Sequence, residues 1–130
     1  KGPVVLYFYP KDETAGCTAQ ACAFRDAYED FRDAGATVVG VSIDDPASHA
    51  SFARHHRLPF TLLSDPDAAV HALYGVPRKS LLLAGRVTFV LDTQGVVRLA
   101  FDSRIRMAAH AKEALAVVRR LGPAVATPVA

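Results

Sequence analysis

Six consecutive apolar and aromatic residues, Val4-Val5-Leu6-Tyr7-Phe8-Tyr9, stop at Pro10 and give way to a segment with helical spacing. A short run without polar alternation suits a strand covered on both faces, and proline ends it because it has no N–H for the ladder. Such a strand needs helices on either side of its sheet. In the next segment Ala21, Phe24, Ala27, Tyr28 and Phe31 recur at helical spacing among Arg25, Asp26, Glu29, Asp30 and Arg32. This predicts a helix from Thr18 to Ala34, stopped at Gly35.

The alternation continues along the chain. Thr37 to Ile43 is a β-branched strand candidate, and Asp44-Asp45-Pro46 turns into a short helix, Ser48 to His56. Leu58 to Leu63 reads as a strand, and Ala68 to Tyr74 as a helix opened by Asp65-Pro66-Asp67 and closed by Gly75. Arg86 to Leu91 and Val96 to Phe101 flank the turn Asp92-Thr93-Gln94-Gly95 as an antiparallel pair. An Ala-rich amphipathic helix from Met107 to Leu121 ends at Gly122-Pro123. The order β-α-β-α-β-α-β-β-α predicts an α/β chain: a thioredoxin-like fold with an inserted βα unit, its central mixed sheet flanked by helices. A flavodoxin-like open sheet gives a similar string.

With 130 residues, 51% of them hydrophobic and 22% charged, the chain has material for one core. Residues 1–122 are expected to form a single domain and residues 123–130 a flexible tail. The strand begins almost at Lys1, so an N-terminal segment is expected to be missing. A formal charge of +2 gives no reason to expect a nucleic-acid or membrane surface, and no apolar run approaches 18 residues. Without a recognisable signal peptide, the expected compartment is the cytoplasm.

Cys17 and Cys22 are the two cysteines of the chain, too few for a disulfide framework. Cys17 falls at a strand-to-helix junction, where outward N–H groups and the helix dipole favour a thiolate, with Thr14 as candidate N-cap. On an intact helix the two Cα atoms would lie about 8 to 9 Å apart, beyond the ~7 Å reach of a disulfide. Pairing them therefore requires the start of the helix to unwind. Other readings stay open: either thiol can serve as a small hydrophobe, Cys22 more readily than Cys17. Zinc is disfavoured, because the cysteine spacing is too long and His49, His55 and His56 follow no ligand pattern. Those histidines are expected to be solvated helix residues, His110 to be structural, and Arg25 to form an exposed ion pair.

The stretch Phe8-Tyr9-Pro10-Lys11-Asp12-Glu13-Thr14-Ala15-Gly16-Cys17-Thr18 resembles the active-site loop of the peroxiredoxins, with its Pro-x-x-x-Thr-x-x-Cys pattern. Ala21-Cys22-Ala23-Phe24-Arg25-Asp26 is similar to the bacterioferritin comigratory protein, or peroxiredoxin Q, subfamily. Further similarity extends over residues 3–121, through Val39-Gly40-Val41-Ser42, Leu63-Ser64-Asp65-Pro66, Tyr74-Gly75-Val76 and Arg86-Val87-Thr88-Phe89. The resemblance implies that Cys17 is the peroxidatic cysteine and Cys22 the resolving one, joined in an intramolecular disulfide. It further implies that Thr14 bonds the thiolate and the peroxide, that Pro10 shields the pocket, and that Arg86 stabilises the thiolate and orients the peroxide. Taken singly, Thr14 is equally an N-cap, Pro10 a strand stop and Arg86 a surface strand residue.

Two departures accompany the resemblance: Ala15 stands where the family commonly has proline, and Leu81-Leu82-Leu83 makes the connection before Arg86 apolar. The expected activity is a thioredoxin-dependent peroxidase acting on hydrogen peroxide and organic hydroperoxides. Its implied partners are the peroxide and thioredoxin or a similar dithiol, with no metal, no cofactor and a monomeric chain. The alternatives are a thiol-disulfide oxidoreductase, whose usual Cys-x-x-Cys is absent, and a redox sensor or chaperone-like binding protein.

Overall fold

The computed structural model describes residues 2–76 and 85–121. Its elements are β1 (Val4–Phe8), α1 (Ala15–Asp26), α2 (Tyr28–Asp33), β2 (Thr37–Ser42), α3 (Pro46–His56), β3 (Thr61–Ser64), α4 (Ala69–Leu73), β4 (Val87–Leu91), β5 (Val97–Asp102) and α5 (Met107–Leu121). The strands form a sheet in the order β3-β2-β1-β4-β5, with the opening apolar run at its centre. β1 is parallel to β2 and antiparallel to β4, while β2 pairs in parallel with β3 and β4 antiparallel with β5. This is the mixed sheet expected of a thioredoxin-like chain, and its two antiparallel pairings exclude an all-parallel flavodoxin-like arrangement.

The pleat of β1 divides its side chains between two layers. Val5 and Tyr7 join Cys17, Ala21 and Phe24 of α1, Phe31 of α2, Phe52 of α3 and Ala111, Ala114, Val117 and Val118 of α5. Phe8 faces the other way, with Val41, Val76, Val87 and Phe89. The buried positions of α5, His110, Ala111, Ala114, Val117 and Val118, follow the i, i+1, i+4, i+7, i+8 stripe of an amphipathic helix. Tyr7 stacks on Phe24 at 4.5 Å between ring centroids. Its cross-strand partner is Gly40, where an added Cβ would lie 2.9 Å from the Tyr7 ring and 2.8 Å from Leu62. The missing side chain at residue 40 makes the space that the Tyr7 ring fills.

Several elements differ from expectation. The first helix starts at Ala15, as an N-cap at Thr14 requires and ahead of the apolar spacing that begins after Thr18, and is interrupted at Ala27, with φ −96° and ψ 5°. The Ala27 N–H still reaches the Ala23 carbonyl at 3.2 Å, and the Phe31 N–H the Ala27 carbonyl at 3.1 Å. The interruption is therefore a kink across which the apolar spacing runs on, leaving no mark in the sequence. β3 is shorter than predicted: Leu58 and Phe60 are buried in the core but precede the ladder. The expected tail, 123–130, and the apolar segment Leu81 to Leu83 lie outside the described residues.

His49 is not a solvated helix residue. It is 4% exposed, with Nδ1 at 2.8 Å from Oδ2 of Asp12 and Nε2 at 3.0 Å from the Leu63 carbonyl. Both neighbours accept, so both ring nitrogens carry hydrogen and the ring is an imidazolium. Burial alone would lower its pKa, but the hydrogen bond and charge of Asp12 outweigh burial and raise it. Asp12 is matched: burial would raise its pKa, and bonds from His49, Tyr9 and Ser48 bring it below the ordinary range. His110 is structural, as expected. Its Nε2 donates to the Ser103 carbonyl at 2.8 Å, so its Nδ1, 2.7 Å from Oγ1 of Thr88, accepts. Burial, assisted by the Arg86 charge, pulls its pKa down and keeps it neutral.

The two buried histidines should therefore titrate on opposite sides of the ordinary value of about 6.5. His49 binds its proton more tightly folded than unfolded, so its contribution to stability is present below about pH 6.5 and fades as pH rises through its raised pKa. His110 has the opposite sign, contributing above about pH 6.5 and losing that contribution as pH falls through its depressed pKa. Nitrogen-15 NMR titration should find His49 above and His110 below 6.5, the latter protonated at Nε2. Coincident titration near 6.5 would contradict the network. His49→Phe removes the counter-charge of the buried Asp12 carboxylate and should cost about 3 kcal/mol in urea unfolding.

Candidate active site

The sheet register places the arginine beside the cysteine. Phe8 pairs with Val87 across the antiparallel β1–β4 ladder, so Arg86 falls level with the end of β1, where the chain turns into α1. Cys17 is the third residue of α1 and is fully buried. Nη1 of Arg86 donates to its Sγ at 3.4 Å and to Oε1 of Gln20 at 2.7 Å. Arg86 is 7% exposed, which corrects its reading as a surface strand residue. A Cβ on Gly16 would come within 2.9 Å of Met107 and 3.1 Å of the guanidinium, so residue 16 has to be small for Arg86 to reach the helix.

Thr14 is the N-cap residue of α1 in its backbone, with φ −78° and ψ 153°, and its carbonyl accepts from the Thr18 N–H at 2.8 Å. Its side chain does not cap. The hydroxyl instead donates to the Lys11 carbonyl at 2.8 Å, leaving the first-turn N–H groups without a side-chain partner. Pro10 is buried between β1 and this loop. Tyr7 lies in the same cluster as Cys17, and its phenol is pushed well above its ordinary value, chiefly by burial. Tyr7 Oη, Gln20 Nε2 and Arg86 Nε are all buried without a hydrogen-bond partner among the described residues. The site thus holds neutral and cationic donors around one sulfur and retains unused hydrogen-bonding capacity.

The structure does not bring Cys22 to that point. Both cysteines are free thiols on the unbroken helix Ala15–Asp26, Cys17 buried and Cys22 partly exposed. Five residues of helix turn the second side chain about 140° away from the first. Arg25, by contrast, behaves as expected, with a partly exposed ion pair to Asp26 at 3.0 Å.

Sequence reasoning missed Gln20, Gly16 and the anchoring of the loop. Gln20 is fully buried and stands one helical turn after Cys17, a spacing that does signal a shared face. The loop between β1 and α1 is held by α3 and the turn before it. Asp12 accepts from Tyr9 Oη at 2.6 Å and Ser48 Oγ at 2.8 Å as well as from His49, while its own N–H donates to Asp44 at 2.8 Å. Glu13 has φ 65°, in the left-handed region, and meets Nδ1 of His55 at 3.0 Å and Nε2 of His56 at 2.9 Å. His55 and His56 are therefore partners of the loop, not merely solvated residues.

The chain is similar to known proteins. A model of the AhpC/TSA family matches residues 1–100. The chain is 53% identical over 120 residues to "Peroxiredoxin Q, chloroplastic" of Populus jackii, covering 92% of this chain and 56% of the relative. It is 54% identical over 112 residues to the protein of that name from Arabidopsis thaliana, covering 85% and 52%. It thus spans about half the length of the curated relatives it matches. Among solved structures, peroxidoxin BcpB from Mycobacterium tuberculosis superposes with a TM-score of 0.87 at 43% identity, over 92% of this chain and 80% of that one. The bacterioferritin comigratory protein of Xanthomonas campestris gives 0.84 at 32%, over 92% and 80%.

The relatives' names overturn the cytoplasmic expectation, since the similar curated proteins are called chloroplastic. The absence of a signal peptide in the sequence had carried that expectation, and it does not bear on a compartment reached by other routes. A family model over residues 1–100, relatives above 50% identity and the shared fold give one assignment: the chain belongs to the AhpC/TSA family, in its peroxiredoxin Q and bacterioferritin comigratory protein group.

Proposed function

We propose that this chain is a thiol peroxidase that reduces hydrogen peroxide and small organic hydroperoxides, with Cys17 as peroxidatic and Cys22 as resolving cysteine. The observation that carries the reading is the Arg86 guanidinium at 3.4 Å from a fully buried Cys17 sulfur at the start of a helix. In the first step the Cys17 thiolate attacks one peroxide oxygen. The S–O bond forms as the O–O bond breaks, the sulfur is oxidised to sulfenic acid, and the electron pair leaves on the second oxygen, which takes a proton and departs as water or an alcohol. Arg86 and the first-turn N–H groups are fixed donors for the charge that moves across the oxygens. The one hydrogen of the Thr14 hydroxyl is committed to the Lys11 carbonyl. Its lone pairs are thereby left to accept from the peroxide O–H, and that acceptor role orients the substrate. Buried Pro10 keeps water from the loop side.

In the second step the first turns of α1 open and the Cys22 sulfur attacks the sulfenic sulfur. An S–S bond forms and hydroxide leaves as water once protonated. A dithiol such as thioredoxin then restores both thiols by exchange, itself becoming a disulfide. Both cysteines lie in one chain, so a monomer suffices for the cycle. A general thiol-disulfide oxidoreductase is disfavoured because Cys17 and Cys22 stand five apart instead of in a Cys-x-x-Cys, and because it would leave the Arg86 contact to Cys17 without a task. A sensor role would use the same cysteine pair without sustained turnover.

Cys17→Ser should reduce peroxide consumption, driven by a dithiol reductant, to the uncatalysed level; retained turnover would sink the proposal. Cys22→Ser should consume about one peroxide per chain, leave a sulfenic acid trappable by dimedone, and then stop cycling with thioredoxin. Continued cycling would remove Cys22 from the mechanism and return it to a packing role. For Arg86→Gln, single-turnover oxidation of Cys17 should slow by about 10²–10³, the range for loss of a fixed donor, with an unchanged far-ultraviolet circular dichroism spectrum. An unaffected rate would show that the guanidinium contact is only structural.

A further inference from the structure

The end of α3 and the loop before α1 bring together three side chains that the peroxide chemistry does not use. Nδ1 of His55, Nε2 of His56 and the Glu13 carboxylate each offer one ligand atom, all within 4.8 Å of one another. The contacts are 3.2 and 3.0 Å from His55 to the two carboxylate oxygens, and 2.9 Å from His56 to one of them. A tetrahedral ion bound at 2.0–2.1 Å to nitrogen and oxygen has donor-to-donor edges of about 3.3 Å. Both histidines therefore stand from the carboxylate at close to the spacing an ion would impose, and from each other within 4.8 Å. Two imidazoles and one carboxylate form a donor set suited to zinc and its transition-metal neighbours rather than to calcium or magnesium.

The surroundings position these groups and leave them open to solvent. His55 and His56 lie in the last turn of the eleven-residue α3, where the helix dipole favours positive charge. The His56 carbonyl is held by Nη1 of Arg25 at 2.8 Å, which ties this end of α3 to α1. Glu13 reaches the histidines through its left-handed backbone, a conformation uncommon outside glycine, asparagine and aspartate. The side chains of His55 and Glu13 are 65% and 45% exposed, so an ion can enter from solvent and keep water as its remaining ligand.

We propose that Glu13, His55 and His56 form a binding site for a divalent transition-metal ion, zinc being the probe, that fastens the loop before Cys17 to the end of α3. The sequence reading disfavoured zinc because the cysteines and histidines lack ligand spacing along the chain; the carboxylate that completes the set comes from a loop more than forty residues away. Glu13 lies four residues before Cys17. Opening the first turn of α1 would then have to strain or break a metal ligand, so the bound ion should slow disulfide formation. That consequence rests on the Cys17–Cys22 reading; the site itself does not.

Zinc K-edge absorption on the full chain with one equivalent of zinc should show imidazole scattering and only nitrogen or oxygen neighbours at 2.0–2.1 Å, without sulfur near 2.3 Å. Calorimetric titration of the Cys17→Ser/Cys22→Ser protein should give one zinc per chain, weakened at least tenfold by adding His55→Gln and His56→Gln. A sulfur shell, or affinity unchanged by the histidine substitutions, would overturn the site. In the protein with both cysteines, saturating zinc should slow Cys17–Cys22 disulfide formation after one peroxide equivalent at least threefold. The His55→Gln/His56→Gln protein should not respond, and equal slowing in both would overturn the fastening role. A chain that binds zinc through this set yet never forms the disulfide would refute the resolving role of Cys22 and leave the metal site standing.

Discussion

The contact from Arg86 to Cys17 joins the two halves of this fold, and much of the surrounding structure serves to make it possible. Sixty-nine positions separate the residues, and the link depends on β1 lying between its parallel and antiparallel neighbours. The antiparallel pairing of Phe8 with Val87 brings Arg86 to the end of β1 from which the chain enters α1. Gly16 leaves space for the guanidinium, and Gln20 takes up a second hydrogen of the same nitrogen. A one-residue slip of β4 would turn Arg86 to the other face of the sheet and leave the sulfur without its donor.

That placement imposes a conflict with the second cysteine. A helix that begins at Ala15 puts Cys17 among the unpaired N–H groups of its first turn, and the same helix holds Cys22 on another face. In the proposed cycle, the arrangement that suits attack is therefore not the one that permits resolution. The segment before the helix governs how readily one changes to the other. Asp12 is held by Tyr9, Ser48 and His49, and Glu13 by His55 and His56, so α3 clamps the loop that any unwinding of α1 must move. The clamp explains why α3, which carries none of the reacting groups, belongs to the account of the site.

Much of the fold was legible because its signals are local. The apolar run at β1, the β-branched β2, the turn at Asp92 to Gly95 and the stripe of α5 all declare themselves within a few residues. The kink at Ala27 left no trace, since its hydrogen bonds and apolar spacing continue through it. Cys17, Thr14, Pro10 and Arg86 were singled out by a resemblance, but their contacts were not legible. The Thr14 hydroxyl looked like a cap and turned instead to the Lys11 carbonyl. The histidines of α3 were misread because a polar residue on a helix is taken as solvated unless its partner is known, and Asp12 and Glu13 lie on a distant loop. Gln20 was overlooked for the same reason: burial of a polar side chain depends on a partner brought by the sheet.

In the proposed cycle, the helix that holds Cys17 must unwind before Cys17 and Cys22 can join. Amide hydrogen exchange across residues 15–22, followed by mass spectrometry in the reduced protein and after one equivalent of peroxide, measures this unwinding directly. Protected amides in the reduced form and lost protection once the Cys17–Cys22 disulfide appears are the predicted result. A disulfide formed between these residues with the helix amides still protected would contradict the account.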